Sequence, residues 1–195
     1  MPSIIRIATD RGILDIPDER KAHLRLTPSL GGIGIFLAFG LTLLLMAPMS
    51  QLHELRFFLI ALVIIVIIGA RDDLAPLSPW IKLLGQLLSA GILMVFADVR
   101  IQDLGGLFGI YAITTFWSYV LSGIALIFLI NSFNLIDGID GLCSSVSLLI
   151  LSVLGVWFAG FGESLYSLCA FAAAGSVIAF MRFNITPSRI FMGDT

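Results

Sequence analysis

Residues 115–142 read TFWSYVLSGIALIFLINSFNLIDGIDGL. An apolar run without one charged residue, Thr115 to Ser132, ends in Asn131, Asn134, Asp137 and Asp140. About 20 apolar residues span the hydrocarbon of a bilayer as a helix. A charge at the bilayer centre costs roughly 2.5–3.5 kcal/mol on insertion scales. The run therefore predicts a membrane span, and the acids and amides belong at its interfacial end.

Five more apolar stretches lie outward from it: Leu30 to Pro48, Leu55 to Ala70, Trp80 to Ala97, Leu142 to Phe161 and Leu165 to Met181. The expected fold is all-α, a polytopic transmembrane helical bundle with about six spans. Between the third and fourth spans, Asp98 to Thr114 mixes β-branched residues with Gly105 and Gly106, which predicts a short extracytoplasmic hairpin. Gly31, Gly32 and Gly34 suggest close helix packing. The whole chain agrees in composition. It is 58% hydrophobic, with mean hydropathy +1.05. Only 12% of residues are charged, where a soluble domain carries about 25%. A net charge of −2 offers no electrostatic case for nucleic acid. The N-terminus is polar and basic and does not read as a signal peptide.

Six spans sort the loops onto two sides. Arg6, Arg11, Arg20, Lys21, Arg25, Arg71, Arg182, Arg189 and Lys82 fall on one side, Arg56 and Arg100 on the other, nine against two. The positive-inside rule makes the first side cytoplasmic. The same sorting places Asp72-Asp73, the Asn131–Asp140 cluster and the Phe191–Asp194 segment on that side. It puts Cys143 and Cys169 a membrane thickness apart, so they do not pair.

Asn131, Asn134, Asp137 and Asp140 recur every three residues, which on a helix would make one slowly drifting polar stripe. Gly138 and Gly141 would admit a close backbone or ligand. A plain helix end with Asp140 as N-cap of the next span accounts for one acid, not for two acids and two amides. Asp72 and Asp73, adjacent on a helix, point about 100° apart and by themselves could form an ordinary turn before Pro76. Lys82 could simply snorkel, and the basic loop with Lys21 and Arg25 could meet lipid headgroups or a substrate phosphate. Together, separated acids on one membrane face suit phosphoryl transfer. Mg²⁺ binds through one or two carboxylates plus substrate phosphates, and that chemistry needs positioning and charge neutralisation above all.

Four segments carry a resemblance: RKAHLRLTPSLGG (Arg20 to Gly32), DDLAPLSPWIKLLGQ (Asp72 to Gln86), NSFNLIDGIDGL (Asn131 to Leu142) and FNITPSRIFMGDT (Phe183 to Thr195). In this order they resemble the polyprenyl-phosphate N-acetylhexosamine-1-phosphate transferases. TPSLGG and LIDGIDGL look more like the undecaprenyl-phosphate N-acetylglucosamine-1-phosphate transferase branch. The phospho-N-acetylmuramoyl-pentapeptide transferase branch, the alternative within the family, usually reads TPTMGG and LTDGLDGL.

The resemblance implies a Mg²⁺-dependent enzyme (Mn²⁺ being the alternative) of the bacterial inner membrane, its active site facing the cytoplasm. Its partners would be UDP-N-acetylhexosamine, undecaprenyl phosphate and the bilayer, with a homodimer compatible and no nucleic acid. The implied reaction starts cell-envelope polysaccharide synthesis and releases UMP. Asp194 resembles the metal ligand, and Asp72, with Asp73 beside it, the acid/base residue. Asn131, Asn134, Asp137, Gly138 and Asp140 resemble the nucleotide- and metal-proximal site. Phe191 resembles an aromatic that stacks on uracil, and Lys82 and Asn184 supporting contacts to phosphate or to the acids. Family members have about ten or eleven spans, with one ahead of the basic loop and more after Gly-Asp-Thr. The resemblance therefore implies that residues 1–195 are a partial domain, lacking an N-terminal span and the C-terminal spans. A non-enzymatic membrane transporter is the contrasting reading. It would place acids near mid-membrane on several helices, whereas these sit at helix ends.

Overall fold

The computed structural model describes residues 1–10, 27–185 and 187–194. Seven α-helices occur among them: α1 (Pro2–Asp10), α2 (Gly31–Met46), α3 (Arg56–Leu74), α4 (Pro79–Phe96), α5 (Thr115–Ile136), α6 (Leu142–Gly160) and α7 (Ser164–Asn184). Every expected span is a helix. α4, α5, α6 and α7 are long and apolar enough to cross a membrane. α2 has 16 residues, about 24 Å at 1.5 Å per residue, shorter than the roughly 30 Å of hydrocarbon. α3 is apolar from Phe57 to Ala70 but carries Arg56 at one end and Arg71, Asp72 and Asp73 at the other. α1, in a segment that the sequence suggested only as polar and basic, lays Met1 and Ile4 over Gly34 of α2.

α7 is the hub, packing on both α6 and α2, while α3 packs on α4 and α4 on α5. Its buried positions are mostly small: Ala170, Ala172, Ala174, Ser167 and Ser176. Small residues let membrane helices approach closely, because lipid offers no hydrophobic drive for their association. A Cβ on Gly155 of α6 would come within 2.8 Å of the Phe171 ring. Conversely, large apolar side chains such as Leu44, Phe116, Phe128 and Trp157 lie exposed along the helices. A water-facing surface rarely carries so continuous an apolar patch, whereas a lipid-facing one does.

Asp98 to Thr114 forms the expected hairpin. Backbone N–H groups of Leu104, Gly106 and Ile113 donate to the carbonyls of Tyr111, Ile110 and Gln102. Asp103 and Ala112 add an isolated antiparallel bridge. Ser118 Oγ donates to Ile101 O at 2.6 Å, and Ser122 Oγ accepts from Ile101 N at 2.7 Å. Two buried serines of α5 thus moor the hairpin. Cys143 and Cys169 are both free thiols.

Candidate active site

α5 does not stop at Ser132 but runs one turn further to Ile136. The expected helical stripe is therefore true only of Asn131 and Asn134. Asp137 caps the C-terminus of α5, and Asp140 lies in the turn before α6. Asp140 is not the N-cap either: that position is Gly141, with φ +73 and no side-chain cap. The turn closes because Gly141 tolerates the left-handed backbone and its N–H donates to Asn184 Oδ1 at 3.2 Å.

The acids of this turn hold the segment after α7. Asp137, only 7% exposed, accepts hydrogen bonds from Met192 N at 3.2 Å and Gly193 N at 2.8 Å. Asp140 accepts from Ser188 N at 3.1 Å. The other edge of the segment is zipped to the start of α2. Gly31 N donates to Phe191 O, Gly32 N to Met192 O, and Phe191 N to Pro28 O. A Cβ on Gly31 would strike Phe180 and the Phe191 carbonyl, so the expected close packing there serves the loop as much as the helix. Gly193, at φ +81, has Ser29 O and the Asp73 carboxylate against the place of a Cβ.

So held, Asp194 meets the end of α3 and the start of α4. Lys82 Nζ donates to Asp194 Oδ2 at 2.5 Å and to Asp72 Oδ2 at 3.0 Å. Asp72 Oδ1 accepts from Leu77 N at 2.6 Å, and Asp73 Oδ1 accepts from Asp194 N at 2.9 Å. The two adjacent acids diverge, as expected: Asp72 faces the lysine and Asp73 the loop backbone. Burial pushes the Asp194 carboxyl above the ordinary carboxylate range; neighbouring Asp72 adds to this, and Lys82 opposes it. Beside this cluster lies a cavity of about 290 Å³. Leu129, Ile130 and Phe133 line its apolar part, and Asn134, Asp137 and Asp194 its polar part.

The structure brings Asp72, Asp73, Lys82, Asn134, Asp137 and Asp194 together at one end of the bundle. Three further candidates already have partners or burial within the fold. Asn184 is 1% exposed and holds backbone, donating to Ile190 O and accepting from Ser144 Oγ, so it has no open face for a phosphate. Phe191 is 3% exposed, so its ring is not on an open face where uracil could stack. Asn131 exchanges hydrogen bonds with Gln86, Nδ2 to Oε1 at 2.9 Å and Nε2 to Oδ1 at 3.3 Å. Gly138 has open space where a Cβ would go. Lys21 and Arg25 lie outside the described residues. Gln86 is the residue that sequence reading passed over. It sits four after Lys82, on the same helix face, and a buried amide inside a span requires a partner.

Residues 55–195 match the glycosyl transferase family 4 model. The full chain is 30% identical over 204 residues to a probable undecaprenyl-phosphate N-acetylglucosaminyl 1-phosphate transferase of Bacillus subtilis (strain 168), covering 54% of that protein. Over 97% of the chain it is 29% identical to the undecaprenyl-phosphate alpha-N-acetylglucosaminyl 1-phosphate transferase of Yersinia pestis, covering 53% of it. The Escherichia coli (strain K12) enzyme of the same name is 28% identical, with 52% covered. The chain spans about half the length of the curated relatives it matches. With four membrane-length helices and bacterial relatives, this is a multi-pass bacterial membrane protein.

Proposed function

We propose, from the premise that the chain belongs to glycosyl transferase family 4, that it forms the acidic core of a sugar-1-phosphate transferase. In this reading a UDP-N-acetylhexosamine, N-acetylglucosamine by the likeness of the relatives, donates sugar-1-phosphate to undecaprenyl phosphate, and UMP leaves. The observation that carries the reading is the meeting of Asp72 and Asp194 on Lys82 beside a cavity lined by both apolar and polar side chains. A lipid phosphate and a nucleotide diphosphate need such a boundary.

The donor set suits Mg²⁺ or Mn²⁺. Two carboxylate oxygens already converge on one cation, the Lys82 ammonium. Among the described residues no group of three acidic, His or Cys side chains forms a closed cage. A site of one or two carboxylates completed by substrate phosphates and water is usual for Mg²⁺. Asp194, with Asp72, would hold the ion, which when bound supplies neutralisation of the diphosphate charge.

The remaining work falls to the protein's own groups. The acceptor phosphate, with a second pKa near 6, is about 90% dianion at pH 7. It is already a nucleophile, so Asp72 gains little as a base. A phosphate oxygen of the lipid attacks the sugar-bearing phosphorus, the diphosphate P–O bond breaks, and its electrons leave on UMP. Asp72 orients Lys82, Lys82 steadies phosphate oxygens, and Asp137 and Asp73 keep the Asp194 backbone in place. The site faces the cytoplasm of the inner membrane by the charge count.

The test is the full-length protein in membranes with UDP-N-acetylglucosamine, undecaprenyl phosphate and Mg²⁺, followed for UMP and lipid-linked sugar. Asp194→Asn should abolish both products, and chelation should do the same. Absence of UMP release from the unmodified protein, or retention of more than roughly a tenth of it in Asp194→Asn, where transition-state electrostatics should be worth about 10²-fold or more, would defeat the reading.

A further inference from the structure

A second cavity lies elsewhere, at the opposite helix ends. It measures about 500 Å³, within the roughly 300–1,000 Å³ common for ligand sites. α3 and α4 make one wall, where Phe57 stacks on Phe96 with ring centroids 5.2 Å apart. α6 and α7 make the other, where Phe158 lies against Tyr166 at 5.6 Å. The α3–α4 pair scarcely packs on the α6–α7 pair, so the space between them is a gap in the apolar packing. Among its lining residues, charge is confined to the start of α3 and the turn before it, with Arg56, and Glu54 beside His53. The Arg56 guanidinium rests over the Phe57 ring, 4.6 Å from its centroid. Among the described residues, neither Arg56 nor Glu54 is in an ion pair.

We propose that this cavity binds one zwitterionic phospholipid, its headgroup carrying a phosphate and a primary ammonium. The acyl chain enters between the aromatic walls. Arg56 pairs with the phosphate and Glu54 receives the ammonium. Both charges stand at a helix end, the depth at which a headgroup meets the chain. Glu54 also decides against the alternatives. An anionic lipid, or the lipid phosphate acceptor, can pair its phosphate with Arg56 but brings no ammonium to the Glu54 carboxylate, and selection of this kind rests on repulsion as much as attraction. A quaternary ammonium has no N–H to donate.

The test uses the purified, delipidated full-length protein and native mass spectrometry. The probes are phosphatidylethanolamine, phosphatidylglycerol and phosphatidylcholine of one acyl composition, with undecaprenyl phosphate as a fourth. Phosphatidylethanolamine should be retained best. Arg56→Gln should weaken its retention about tenfold, the scale of one charge-assisted hydrogen bond. Glu54→Gln should erase the preference over phosphatidylglycerol. Both residues are exposed, so neither change threatens folding. Leu154→Trp, which fills the cavity, should lower retention of phosphatidylethanolamine. Equal retention of all probes, better retention of undecaprenyl phosphate, or a preference untouched by Glu54→Gln or Leu154→Trp would each overturn the proposal.

Discussion

Asp137 and Asp194 are both acids at one site, yet their surroundings give them different work. Asp137 is buried and spends its two oxygens on backbone N–H groups of Met192 and Gly193. Asp194 is partly exposed and shares Lys82 with Asp72. Asp137→Asn places an N–H₂ against a backbone donor, which should cost about 1–3 kcal/mol of stability and lower transfer together with it. Asp194→Asn should lose transfer while the thermal midpoint stays near that of the unmodified protein. A Asp137→Asn protein that melts normally would show that the loop does not hang on that carboxylate. Gly193 offers a second probe of the loop. Gly193→Ala meets both a left-handed backbone, costing about 1–2 kcal/mol, and the Ser29 carbonyl. Displacement of Asp194 should cut UMP release far more than the melting shift alone accounts for.

Helix ends, not helix middles, carry the candidate acids. α3 overshoots its apolar stretch to present Asp72 and Asp73, and α5 overshoots to present Asn134 and Asp137. At the far end, the hairpin depends on two serines of α5. Removing both, Ser118→Ala with Ser122→Ala, forfeits two hydrogen bonds to Ile101, each worth about 1 kcal/mol. Amide exchange across residues 101–113 should then quicken while exchange in α6 and α7 is unchanged. Equal protection in the double variant would mean that the turn around Gly105 and Gly106 holds the hairpin unaided.

The molecule is polarised from end to end. Lys82 with Asp194, Asp140 with Ser188, and Gly31 with Phe191 are contacts at one end, joining segments far apart in the chain. Arg56, Arg100 and the hairpin lie at the other. Single cysteines at Arg71 and Asp140 should therefore be labelled from one side of a sealed membrane and a cysteine at Gly106 from the opposite side. Labelling of all three from the same side would break the span count and the one-sided site together.

The apolar runs, the hairpin and the four motif segments were legible in the residues, because bilayer insertion depends on local hydropathy and loop charge alone. The candidate acids were legible too, since charge is excluded from hydrocarbon and collects at span ends. What each acid does was not. That Asp137 binds backbone while Asp194 shares a lysine, that Asn131 faces Gln86, and that Phe191 and Asn184 turn inward all depend on partners distant in sequence. Those partners meet only when α7 seats between α2 and α6, and a buried polar group takes its role from whichever donor or acceptor that packing brings within hydrogen-bond reach.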